Sequence, residues 1–139
     1  MKSPFPVIFL CVLVFCGALR ADPKEKLVVV RGPTVVAFFT PVTDAELDKN
    51  PDENEALADF QVYAERVRGQ LERMGIAFEE IYATSFVVKC DAKTRRFRPK
   101  TGVGYYFVAP GKLPHVEYGV MTDADILQVA REHFHPTPK

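Results

Sequence analysis

The chain has 139 residues, with 18 lysines and arginines against 18 acids, three cysteines and no tryptophan. That length suits one ordinary domain. A zero net charge excludes the general electrostatic pull toward nucleic acid that a strongly basic chain exerts.

The first element is a targeting segment. Lys2 gives a basic start, and Val7 to Leu19, "VIFLCVLVFCGAL", is apolar or small throughout, the pattern of a secretory signal. Thirteen residues fall well short of the ~20 that span a bilayer as a helix. Ala21 and Ala18 are the candidate cleavage points; Cys16-Gly17-Ala18 puts small residues at both required positions, Leu19-Arg20-Ala21 does not, and residues 1–21 are assigned to the leader. Phe15, rather than a small residue, precedes Cys16, which argues against a lipid anchor. Residues 22–139 are then a single exported domain, periplasmic or extracellular. Losing Lys2 and Arg20 leaves 16 cations against 18 acids, a net charge of −2. Cys90 is left alone, so no internal disulfide is expected even where oxidation is permitted.

In chain order, "LVVV" (27–30) and "TVVAFF" (34–39) read as strands divided by Arg31-Gly32-Pro33. The second is apolar almost throughout, as suits a strand buried on both faces. Thr43-x-x-Glu46 matches a capping box, and the short turn it opens must stop before Pro51. A second helix starts near Pro51, with Asp52, Glu53 and Glu55 at its positive end. Leu57, Phe60, Ala64, Val67, Leu71 and Met74 make one apolar stripe on that helix, which Gly75 ends. "IAFEEIYA" (76–83) predicts a strand. "SFVVKC" and "KTRRFR" flank Asp91-Ala92 as a hairpin. "GYYFVA" and "HVEYGV" form another hairpin around Pro110-Gly111-Lys112. Thr122 caps a last helix with an apolar face of Ile126, Leu127, Val129, Ala130 and Phe134. The succession predicts an α/β fold with a central mixed sheet of about four to six strands flanked by helices.

Two segments carry a resemblance to the thioredoxin-like superfamily. "PTVVAFFTP" is similar to the strand that leads into that family's Cys-x-x-Cys turn. "GYYFVAPGKLPHVEYGVMTDADILQVAREHF" resembles its final hairpin and capped helix. The resemblance covers roughly residues 27–134 and implies a thioredoxin-like domain. Where the family carries its two cysteines, this chain has Thr43-Asp44-Ala45-Glu46. Where the family has a cis-proline, it has Val103-Gly104. Thiol–disulfide exchange needs an attacking thiolate and a second sulfur, so dithiol chemistry at this turn is excluded. "SFVVKCDAKTRRFRP" stands where the family has a second helix.

Pro41, Thr43, Asp44 and Glu46 thus read as a vestigial active-site turn, with Thr43 as a helix cap. Cys90 is either a reactive thiol, favoured by Lys89 and Lys93, or a small buried hydrophobe. Asp48, Asn50, Asp52, Asn54 and Asp59 follow calcium-loop spacing, but Glu53 stands where the loop needs glycine. Lys89, Lys93, Arg95, Arg96, Arg98 and Lys100, with Phe97 among them, form a basic cluster. It suits an anionic partner or a solvated hairpin face. His115, His133 and His135 lack the spacing of a zinc enzyme. The expectation is an exported, redox-inactive binding module with an unknown protein or anionic partner, without cofactor, and meeting a membrane only on export. The alternatives are a monothiol oxidoreductase acting through Cys90 and a calcium-binding structural protein.

Overall fold

The computed structural model describes residues 25–135; the expected leader lies outside them. Ten elements follow in order: β1 (Lys26–Val30), β2 (Thr34–Phe39), α1 (Asp44–Lys49), α2 (Pro51–Arg73), β3 (Ala77–Tyr82), β4 (Phe86–Cys90), β5 (Lys93–Phe97), β6 (Val103–Val108), β7 (His115–Tyr118) and α3 (Asp123–Phe134). No helix among the described residues is long and apolar enough to cross a membrane.

Strand β2 is buried at every position, and the architecture follows from what covers its two faces. It lies inside a four-stranded mixed sheet of order β3-β2-β6-β7. It pairs in parallel with β3 and antiparallel with β6. Because side chains alternate along a strand, Val35, Ala37 and Phe39 point one way and Val36 and Phe38 the other. The first set joins Phe60, Ala64, Val67 and Leu71 of α2 and Ile126, Leu127, Ala130 and Phe134 of α3 in one core. The predicted stripes of both helices are the faces that pack here, with Leu57 and Met74 only partly buried at its margin.

The opposite face is not covered by a helix. The expectation of one central sheet is corrected: the chain forms two mixed sheets. β1, β4 and β5 make a separate three-stranded sheet of order β1-β4-β5. It lies on Val36, Phe38, Tyr106 and Val108 through Val28, Val30, Phe86 and Val88. The molecule therefore has three layers: helices, a four-stranded sheet and a three-stranded sheet. Both cores are apolar apart from the hydroxyls of Tyr105 and Tyr106, and Thr34 is the one other polar side chain among the buried residues described. Its hydroxyl donates to the Gly32 carbonyl at 2.9 Å.

Local signals set the boundaries. α2 stops at Met74, and Gly75 follows with a φ of 77°, the left-handed turn that glycine adopts freely. α3 is capped by Thr122, whose hydroxyl accepts from the Asp125 N–H at 3.2 Å. The β4–β5 hairpin turns at Asp91 and Ala92, as the sequence predicts, with φ of 54° and 63°.

Candidate functional site

The turn after β2 is closed on itself. Thr43 Oγ1 accepts from the Glu46 N–H at 3.2 Å, and Glu46 Oε2 accepts from the Thr43 N–H at 2.9 Å. Both side chains are thus engaged in a reciprocal capping box, which satisfies two otherwise orphaned backbone donors. Asp44 is exposed in the first turn of α1, a helix that buries no residue. The described peptide bonds are all trans. At the place where the resemblance implies a cis-proline, Gly104 gives way to the ring of Phe38.

Beside this turn lies an apolar cleft of about 260 Å³, lined by Phe39, Thr40, Pro41, Val42, Leu57, Gln61 and Tyr82. It opens at the carboxyl ends of the parallel strands β2 and β3, the end at which open α/β sheets place ligands. Its wall is braced. The Tyr82 hydroxyl donates to Glu80 Oε2 at 3.0 Å, and Glu80 is salt-bridged to Arg68 of α2. The Arg68 guanidinium in turn lies 5.0 Å from the centre of the Phe78 ring. Burial and the Glu80 carboxylate push the Tyr82 hydroxyl above its ordinary pKa, with Gln61 and Arg68 opposing, so Tyr82 is a neutral hydrogen-bonding group. Sequence reasoning found Pro41 but missed Gln61 and Tyr82. Tyr82 is an aromatic at a strand end, and that was the available signal.

The calcium-spaced residues do not converge. Asp48 lies in α1, Asn50 caps it, and Asp52, Asn54 and Asp59 project from α2. A calcium loop needs an irregular backbone that folds its oxygens inward; two helices hold these apart. Among the described residues no three His, Cys, Asp or Glu side chains come together to hold a metal ion.

The basic cluster is divided by the pleat of β5. Lys93, Arg95 and Phe97 pair opposite Cys90, Val88 and Phe86 and share their inward side. Arg96 pairs opposite Val87 and turns outward. There it is neutralised: its Nη2 and Nε donate to Glu25 Oε1 at 2.9 and 3.2 Å, and Ser85 Oγ donates to the other carboxylate oxygen at 3.1 Å. Arg98 lies beyond the strand and is exposed.

Cys90, Lys93 and Arg95 meet in a groove of about 270 Å³ with Asp91, Tyr106, Gly111, Lys112 and Leu113 on its walls. This groove lies at the end of the four-stranded sheet opposite the cleft, where β6 ends and β2 begins. Of the two readings of Cys90, the raised thiol pKa favours the small hydrophobe over the reactive thiol. Burial and the neighbouring Asp91 carboxylate raise it, and Arg95 offsets only part of that. Lys112 and Leu113 were missed, because Pro110-Gly111-Lys112 reads simply as a turn.

His115 and His133 stack with ring centres 5.7 Å apart. His115 Nε2 lies 3.0 Å from Glu117 Oε1, whereas His133 Nε2 is buried without a partner. No protein family, curated protein or solved structure matches this chain.

Proposed function

We propose that this chain is an exported, redox-inactive thioredoxin-like domain that acts by binding an apolar segment of a partner protein. The observation that carries the reading is the turn at Thr43. Its polar groups are consumed by the capping box, and an apolar cleft opens directly beside it. The strand order β3-β2-β6-β7 supports the fold assignment, together with the parallel β2–β3 pair joined through α2 and the β6–β7 hairpin leading into α3. The β4–β5 hairpin is the departure from that family's pattern. A raised thiol pKa at Cys90 disfavours the monothiol alternative, because the thiolate is the nucleophile.

The test has two arms. In a disulfide-reduction assay, the chain and its Cys90→Ser variant are expected to be equally inactive. In an amide NMR titration with short apolar peptides, shifts are expected at Val42, Gln61 and Tyr82, and Tyr82→Ser is expected to abolish them. Thiol-dependent turnover that disappears in Cys90→Ser would overturn the reading in favour of an oxidoreductase.

A further inference from the structure

A second site is built from residues that the apolar cleft does not use. The groove at the opposite end of the sheet gathers Lys93 and Arg95 from the β5 edge and Lys112 from the β6–β7 turn. Lys112 Nζ is spanned toward α3, donating to the His133 carbonyl at 2.8 Å. Lys93 and Arg95 have no ion-pair partner among the described residues. Asp91 is the one acid on the walls, and it is occupied: its Oδ2 accepts from the Gly111 N–H at 2.9 Å. Lys93 and Arg95 thus line the groove without an ion pair, Lys112 stands at its rim on a neutral carbonyl, and the single carboxylate is tied to the Gly111 backbone.

The rest of the lining is apolar. Val88, Tyr106, Ala109, Leu113 and Pro114 contribute, and Leu113 is 83% exposed at the lip. An exposed leucine beside unpaired cations is a surface with two chemistries. Arg95 is positioned to serve the inner end, since it pairs opposite the buried Val88 and lines the groove with Cys90 and Tyr106. A guanidinium fork suits the paired oxygens of a phosphate or carboxylate. The groove lies just below the ~300–1,000 Å³ range of ligand clefts, a size for a small molecule.

We propose that this groove binds a small amphiphilic anion, a phosphate or carboxylate headgroup held by Arg95, Lys93 and Lys112 with a short apolar chain lying on Leu113 and Pro114. Cys90 at its floor is the natural reporter.

The test follows the alkylation of Cys90 by the neutral reagent iodoacetamide, resolved at the Cys90 peptide by mass spectrometry in the full chain. Hexyl phosphate is expected to protect Cys90 saturably, with inorganic phosphate weaker. Hexanol and hexyltrimethylammonium are expected to give no protection. Arg95→Gln removes a charge-assisted contact and is expected to weaken hexyl phosphate about tenfold. Lys112→Gln should weaken it in the same direction, while Arg96→Gln, on the outer face, should leave it unchanged. Equal protection by hexanol would overturn the proposal, as would full affinity in both Arg95→Gln and Lys112→Gln. Binding confined to anionic phospholipid vesicles and weakened by Arg96→Gln would overturn it in favour of the outer face as a membrane contact.

Discussion

Phe38 and Gly104 face each other across the β2–β6 pair, and the ring occupies the space a side chain at 104 would need. A Cβ on Gly104 would lie 2.7 Å from Phe38 Cζ and 2.5 Å from the Glu117 carbonyl oxygen. The same ring meets Phe86, Phe97 and Tyr118 at centre distances of 5.9, 5.5 and 6.1 Å, so it has nowhere to retreat. Gly104→Ala is expected to cost about 3 kcal/mol by overpacking, read as a lower urea midpoint. Adding Phe38→Leu should recover only part of the loss, because the Glu117 carbonyl is backbone and stays.

Thr43→Ala removes one half of the capping box and is expected to cost about 1 kcal/mol locally. Since α1 buries no residue, the loss should appear as faster hydrogen exchange at Glu46 and Leu47 rather than as a lower melting temperature. A lower global stability would mean that α1 is coupled to the core.

Asp91 and Ala92 both have positive φ, the pairing of a two-residue hairpin turn that favours glycine at its second position. Ala92→Gly relieves left-handed strain of ~1–2 kcal/mol and loses part of that to the freer unfolded chain. A net gain of about 0.5 to 1 kcal/mol is expected in urea unfolding. Gly111→Ala, at a φ of 77°, should act in the opposite direction.

Burial lowers the pKa of His133 below 6.5, reinforced by the charges of His115, Lys112 and His135. The unfolded chain therefore binds the proton more readily than the folded one. Stability is expected to be full above pH 6.5, to fall as pH drops through that value, and to level off below the lowered folded pKa. Urea midpoints at descending pH measure this. His133→Phe should flatten that portion of the profile, since an aromatic ring keeps the packing against Phe107 and Phe134.

Much of this was legible because the signals are local. The stripe from Phe60 to Leu71 repeats with the helix, and those residues pack into the core. The apolar run from Val35 to Phe39 in β2 foretold burial on both faces. The Thr43-x-x-Glu46 spacing foretold a cap that the structure contains. What covers the second face of β2 was not legible: Lys26 pairs with Phe86, and no local pattern records a partner so distant. The division of the basic run was within reach, since Lys93, Arg95 and Phe97 alternate with Thr94 and Arg96 at strand period. Reading the run as one charged patch obscured it. The groove itself needed the fold, because Lys112 arrives from a different hairpin.

The late pairing of β1 has a consequence for how the chain reaches this state. β1 is the first strand described, yet its one partner is β4, and the register joins Lys26 to Phe86. More than half of the described chain, through Cys90, must be made before β1 can pair and Val28 and Val30 can be buried. Such distant pairing is slow to form, and a bare β-branched run invites association between chains while it waits. The same strand that completes the second core is thus the segment most in need of protection during synthesis, and chaperone dependence should centre on residues 27–30.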